Sequence, residues 1–409
     1  DIKQAEAVNP STDKTITKFR FNNQEETIRG IAAARAPRGR KQSGSDNMFN
    51  TKMGELAELG QSVWLDYISR PLLQNGRLKE LVDMGLRGVT SNPTIFDKAI
   101  SGSGDYDQEI KRLSRQGLSC WDIYDNLTAQ DIRAAADIFS RIYEDSNGRD
   151  GYVSLEVNPE LSDKTEETVK EGLRLNRRVG RANLMLKVPA TQEGVAVIEE
   201  LVARGINVNA TLIFSCSQYA QTADAYIKGL MRLAACGGDV GRVHSVASVF
   251  VSRIDTAVDN MLGGDVALQG RAAVANSAII YAKYREIFSS PAFTCLKRKG
   301  ANLQRVLWAS TGTKNPNYSD TKYVRELIAR DTVNTMPEKT LQALLENGEA
   351  SLSLDGNDKQ AREIVTKLSQ RGIDIDNICN GLLRDGIKAF RQSFASLLAS
   401  IKQRMSCGG

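Results

Sequence analysis

An α/β chain closed into a (β/α)8 barrel, with an N-terminal extension and extra C-terminal helices, is the fold class this sequence predicts. Eight short apolar, β-rich runs follow residue 51: Val63–Ser69, Val89–Thr94, Tyr152–Val157, Asn183–Ala190, Ile206–Phe214, His244–Ile254, Val306–Thr311 and Thr332–Met336. Helical periodicity fills the intervals, as in Gln74–Met84, Lys164–Arg178, Glu193–Ala203 and Cys216–Ala235, and every interval is long enough for a crossover helix. No Gly-x-Gly-x-x-Gly follows an early strand, which counts against an open doubly wound sheet. Polar residues recur near the strand ends, where TIM barrels build their sites.

Residues 1–50 come first and lack a sustained apolar period. They hold nine Lys/Arg against six Asp/Glu, densest in Arg35-Ala-Pro-Arg38-Gly-Arg40-Lys41, whereas the whole chain holds 54 against 49. They read as a basic extension, partly disordered unless a partner orders it, and an acidic protein surface is the partner such an arm fits. The rest is near neutral and has no basic stripe for a nucleic acid. No apolar run approaches the roughly 20 residues of a membrane span. Six cysteines without C-x-x-C spacing and one histidine, His244, leave a metal site almost no ligands, so no metal is expected. The cysteines read as reduced thiols, with Cys407 on a loose tail. The chain starts at Asp1; a removed targeting peptide and reduced thiols suit a chloroplast stroma or a cytoplasm, the stroma being preferred.

Residues 51–409 form the expected barrel domain. In the first strand Asp66 follows Val-Trp-Leu, an apolar setting that raises a carboxylate's pKa. The second leads into Thr90-Ser91-Asn92. Ser154 and Glu156 share a face of the third, as Asn209 and Thr211 do on the fifth. The fourth places one lysine, Lys187, in an apolar strand stopped by Pro189. Parity groups Lys187 with Met185 and turns Leu184, Leu186 and Val188 the other way. Burying an unpaired ammonium costs several kcal/mol, so such a lysine sheds its proton and becomes a nucleophile toward carbonyls. Snorkelling, or pairing with a buried carboxylate, is the alternative.

The sixth strand leads through Ser248 and Phe250 to Arg253, and the seventh to Ser310 and Lys314 in Ser-Thr-Gly-Thr-Lys-Asn. Small residues and a cation suit a phosphate cradle, although an ordinary loop reads the same. His244 opens strand six and is assigned no role. Amphipathic segments at Lys339–Glu346, Asp358–Arg371 and Ile373–Arg404 supply the eighth helix and, from about residue 358, a C-terminal helical extension. A lumen with one lysine and two acids is equipped for Schiff-base chemistry: the imine is an electron sink, Asp66 moves the proton for carbon–carbon cleavage, and Glu156 activates water. The plainer alternative is that the acids pair with Lys187 or cap helices.

Eight stretches, one per expected strand and in order, carry a family resemblance. They are Ser62-Val-Trp-Leu-Asp66, Gly88-Val-Thr-Ser-Asn-Pro-Thr-Ile-Phe96, Tyr152-Val-Ser-Leu-Glu-Val157, Leu186-Lys-Val-Pro-Ala-Thr191, Gly205-Ile-Asn-Val-Asn-Ala-Thr-Leu-Ile-Phe214, Ser245-Val-Ala-Ser-Val-Phe-Val-Ser-Arg253, Trp308-Ala-Ser-Thr-Gly-Thr-Lys-Asn315 and Asp331-Thr-Val-Asn-Thr-Met-Pro337. Over roughly residues 52–400 the chain resembles the transaldolases of the longer bacterial and organellar class.

The resemblance implies Lys187 as the Schiff-base lysine, Asp66 as acid/base, and Glu156 with Thr211 as the group that activates water. It implies that Thr90, Asn92, Ser154, Asn209 and Ser248 hold sugar hydroxyls and that Arg253 and Lys314, beside Ser310, bind phosphate. Many members have an arginine near Lys314, a departure here. The family moves a dihydroxyacetone unit from sedoheptulose 7-phosphate to glyceraldehyde 3-phosphate in the pentose phosphate pathway. It needs no metal or organic cofactor, and its members are monomers or dimers. Related fructose 6-phosphate aldolases carry a tyrosine where this chain has Phe250, so free aldol cleavage is the lesser alternative. A reading from another class is a transaldolase-like structural or regulatory subunit, which residues 1–50 motivate. The retention of Lys187, Asp66 and Glu156 argues instead for an enzyme.

Overall fold

The structure, a computed structural model, describes residues 51–263 and 266–406. The expected basic extension and the expected loose tail at Cys407 lie outside the described residues. Eight parallel strands close into a barrel in chain order. They are β1 Gln61–Leu65, β2 Gly88–Thr90, β3 Tyr152–Glu156, β4 Leu184–Pro189, β5 Val208–Ile213, β6 Ser245–Phe250, β7 Gln304–Ala309 and β8 Thr332–Met336. Five register pairs, from Gln61–Thr332 to Leu65–Met336, join β1 to β8 and close the ring. Every strand residue is buried, as a parallel sheet jacketed by helices requires.

Several strands end earlier than their apolar runs suggest, because helix caps claim the next residues. Ser69 Oγ accepts from Leu72 N, and Asn92 Oδ1 accepts from Ile95 N, so the chain turns into helices Arg70–Gln74 and Pro93–Ser101. The run expected as strand to Ile254 stops at Phe250, and Ser252–Leu262 is helical. Arg253 therefore stands in a helix's first turn. The helix expected at Gln74–Met84 is two, Arg70–Gln74 and Arg77–Asp83, split at Gly76, whose φ of +83° suits glycine alone without strain.

The amino ends of the strands are sealed by charge. Arg305 donates to Ser62 Oγ at 2.9 Å, Asp150 Oδ1 at 2.8 Å and Arg149 O at 2.6 Å, so the buried guanidinium is paired. His244 lies at this end, and burial plus the Arg305 charge push its pKa down to about 4. It stays neutral and far from the carboxyl ends.

The last helix, Ile375–Ser406, runs 32 residues across the loops at the carboxyl ends. Its buried residues from Gly386 on, namely Gly386, Phe390, Phe394, Leu397 and Ile401, recur at three- and four-residue intervals. Arg391 donates to Pro159 O and Ser162 Oγ after β3, and Ser393 Oγ meets Thr94 Oγ1 after β2. Gly386 allows the closest approach: a Cβ there would lie 2.9 Å from Leu212 Cδ2. Leu212 itself sits at φ +57°, in the irregularity of β5 between Ala210 and Ile213.

Candidate active site

Strand alternation and register assemble the lumen. Glu156 pairs in register with Lys187, Lys187 with Asn209, and Thr90 with Ser154. Lys187 Nζ lies 3.5 Å from Glu156 Oε2 and donates to Ser91 O at 3.0 Å. The lysine expected to shed its proton in an apolar strand has a buried carboxylate beside it, the pairing given above as the alternative. The register of β3 against β4 brings that carboxylate opposite.

Glu156 is buried, and burial pushes its pKa up to about 7 against the opposing Lys187 charge, with Asp66 adding to the rise. At 3.5 Å the contact to Lys187 is long for a hydrogen bond. Neither Glu156 oxygen has a hydrogen-bond partner among the described residues, and nor has Thr211 Oγ1. Buried polar atoms without partners are costly, and a water, a ligand or a reacting group at the site would satisfy them.

Asp66 follows β1 at the mouth and is held by Thr90. Thr90 Oγ1 donates to Asp66 Oδ1 at 2.6 Å and lies 2.7 Å from Thr335 Oγ1. A hydroxyl has one proton, so Thr335 must donate to Thr90. Burial raises the Asp66 pKa; the Lys187 charge and the Thr90 hydrogen bond oppose it. The expected apolar setting of Asp66 is present, tempered by these two contacts.

A second chain of side chains crosses the lumen. Ser248 Oγ donates to Asn209 Oδ1 at 2.6 Å, and Asn209 Nδ2 donates to Ser154 Oγ at 3.1 Å. Phe250 packs on Phe214 with centroids 5.4 Å apart, and Arg253 Cζ stands 5.4 Å from the Phe250 ring centre. The Arg253 guanidinium has no hydrogen bond or ion pair among the described residues. Burial lowers its pKa and the charge of Asp385, on the last helix, opposes that. A half-buried arginine without an anion suits an incoming one.

The remaining expected residues fall at the edge. Asn92 spends its side-chain oxygen on the helix cap. Ser310, at φ +54°, pairs its hydroxyl with Ser252 Oγ at 3.0 Å. Lys314 is exposed and lines a 230 Å³ cavity between helix Ser252–Leu262 and the segment after β7. Thr335 is a site residue that sequence reasoning missed; its parity with Val333 on β8 was the available signal. Ser91 O, which accepts a hydrogen bond from Lys187 Nζ, carries no side-chain signal at all. No group of three or more His, Cys, Asp or Glu suited to a metal occurs among the described residues. Grooves of 540 Å³ lie on the outer helical jacket, one of them beside helices Ala272–Phe288 and Asp358–Gln370, so chemistry and not cavity size marks the lumen.

A closed (β/α)8 barrel with a lysine and two carboxylates gathered at the carboxyl ends of its strands defines an enzyme with an amine-bearing lumen. The model of the transaldolase/fructose-6-phosphate aldolase family matches residues 63–401. A protein named Transaldolase from Saccharopolyspora erythraea is 46% identical over 361 residues, covering 87% of this chain and 98% of that protein. Those of Mycolicibacterium smegmatis, 44% identical over 356 residues, and Trichodesmium erythraeum, 40% over 374, cover 85% and 88% of the chain and 96% and 98% of their own lengths. The chain belongs to the transaldolase/fructose-6-phosphate aldolase family, and it is a transferase.

Proposed function

We propose that the chain is a Schiff-base transaldolase of the pentose phosphate pathway, moving a dihydroxyacetone unit from sedoheptulose 7-phosphate to glyceraldehyde 3-phosphate. The observation that carries this is Lys187 set in the lumen between Glu156 and the Asp66–Thr90 pair. Glu156, held up at about 7, is the base nearest Lys187 and takes its proton. The neutral amine adds to the donor's C2 carbonyl, and the carbinolamine loses water with a proton from Glu156, giving the iminium. Asp66 accepts the C4 hydroxyl proton as the C3–C4 bond breaks and its electron pair enters the iminium. Erythrose 4-phosphate leaves, and the enamine remains on Lys187. The enamine carbon then attacks the aldehyde of glyceraldehyde 3-phosphate, Asp66 returns the proton, and water activated by Glu156 and Thr211 releases fructose 6-phosphate.

Ser154, Asn209 and Ser248 form a fixed row for the sugar hydroxyls, and Arg253 faces the phosphate. Phe250 puts an apolar ring in place of a hydroxyl, which leaves the enamine one proton donor fewer and favours transfer over free aldol cleavage. Borohydride reduction in the presence of fructose 6-phosphate, read by peptide mass spectrometry, tests the proposal. A three-carbon adduct on Lys187 is expected; a folded protein with no adduct there sinks it.

A further inference from the structure

The helix after β6, Ser252–Leu262, carries Arg253 and the carboxylate of Asp255 in its first turn and a second carboxylate, Asp259, one turn further on. Each carboxylate makes the same pair of contacts. Asp255 accepts from Ala273 N at 2.7 Å and from Tyr323 Oη at 2.8 Å. Asp259 accepts from Gly270 N at 2.8 Å and from Tyr318 Oη at 2.7 Å. Each acid therefore ties this helix to the chain entering helix Ala272–Phe288 on one side, and to the segment after β7 on the other.

The segment after β7 carries Ser310 and Lys314. Its first residue is pinned to the same helix, since Ser252 N donates to Ser310 O at 3.1 Å and the two hydroxyls meet at 3.0 Å. Its far end is pinned by Tyr318, whose ring lies so close to Gly270 that a Cβ there would stand 2.8 Å from the ring. Lys314 lines the 230 Å³ cavity together with Asp255, Asp259, Tyr318 and Tyr323, without an ion pair to either acid among the described residues. Tyrosine–carboxylate hydrogen bonds are short and directional, so they fix a loop more tightly than apolar contact does.

We propose that Tyr318 and Asp259, seconded by Tyr323 and Asp255, are positioning residues: a double clasp that sets Lys314 and Ser310 relative to Arg253 and so shapes the phosphate end of the site. This rests on the transaldolase reading above. The clasp touches no reacting atom, and its loss acts on the binding of phosphorylated substrates.

The test uses the full chain with Tyr318→Phe and Asp259→Asn, assayed with glyceraldehyde 3-phosphate and with unphosphorylated glyceraldehyde as acceptors. Each variant should raise KM for the phosphorylated acceptor about tenfold, the scale of one lost charge-assisted contact, with kcat nearly unchanged. With the ketose phosphate donor held at saturation for every variant, transfer to glyceraldehyde and the final yield of borohydride adduct on Lys187 should be unaffected. Gly270→Ala, which displaces the Tyr318 ring while keeping both partners, should reproduce the split and covers the case in which another variant fails to fold. Equal losses for both acceptors, or no loss for either, overturn the clasp. A wild-type protein that forms no adduct overturns the transaldolase reading instead.

Discussion

Glu156 and Lys187 face each other across the β3–β4 ladder with Oε2 and Nζ 3.5 Å apart, each side chain 4% exposed. The pair couples catalysis to pH. Burial holds Glu156 at about 7, so its carboxylate form, needed to draw a proton from Lys187, fills in as pH rises through neutrality. The rate of borohydride-trappable adduct formation should climb between about pH 6 and 8 on that account. Glu156→Gln should flatten the profile and slow adduct formation by about 10²–10⁴, the usual range for a lost acid–base group. Stability runs the other way. A carboxyl whose folded pKa lies above its ordinary value contributes stability below the ordinary value and loses it as pH rises through the folded one. Urea denaturation should therefore show Glu156→Gln gaining on the wild type as pH rises from about 4.5 to about 7, and holding that gain above it.

Lys187→Met removes the nucleophile and keeps most of the side chain's length. No adduct should form with fructose 6-phosphate or dihydroxyacetone, and transfer should fall to the detection limit. The variant also strips Glu156 of the charge that restrains its pKa. Its denaturation midpoint should fall more steeply than the wild type's as pH rises from about 6 to 9, because the remaining acid must ionise without a partner.

Asp66→Asn separates the two halves of the reaction. The imine forms at Lys187, whereas cleavage needs a base at the C4 hydroxyl, so the variant should accumulate a six-carbon adduct from fructose 6-phosphate in place of the three-carbon one. Thr90→Val removes the 2.6 Å bond to Asp66 and the 2.7 Å contact with Thr335 while leaving the acid in place. It should lower kcat by about 10–100-fold, less than the full loss of an acid–base group, without preventing the trap. A three-carbon adduct from Asp66→Asn at the wild-type rate would remove Asp66 from this role.

What the sequence made legible followed from alternation and from the chemistry of side chains. Period-two polarity placed Ser154 with Glu156 and Asn209 with Thr211 on the lumen face, and the β-branched run Thr332–Met336 matches β8 residue for residue. Boundaries were lost where a side chain has two uses: Asn92 reads as a ligand yet caps a helix, and Arg253 reads as strand yet opens one. The Lys187–Glu156 partnership lay in the register of β3 against β4, which no local pattern encodes. The double clasp is still further from sequence, because Asp259 meets Tyr318 across 59 residues.

Gly88 shows how tightly the lumen floor is packed. A Cβ on Gly88 would stand 2.6 Å from the Trp64 ring and 2.8 Å from Tyr152 O, neither of which can retreat inside a full barrel. Gly88→Ala should cost about 1–3 kcal/mol by overpacking, read as a lower urea midpoint at unchanged slope. Thr90 stands two residues along the same strand, so kcat should fall with it.

Gly386 poses a contest whose sign a measurement decides. Alanine is the better helix former by about 1 kcal/mol in a helix interior, so on propensity alone Gly386→Ala stabilises the last helix. Against that, its Cβ would lie 2.9 Å from Leu212 Cδ2 and 3.7 Å from Arg253 Nη1. Leu212 is fully buried and held at φ +57°, so it can yield only by moving the irregular stretch of β5 that also carries Thr211. Overpacking of this kind costs about 1–3 kcal/mol, which meets or exceeds the propensity gain. Gly386→Ala should therefore lower the urea midpoint and weaken the water-dependent release of product, seen as a longer-lived adduct on Lys187. A raised midpoint with unchanged release would mean that the last helix rests on the barrel with slack and that Leu212 yields without moving Thr211.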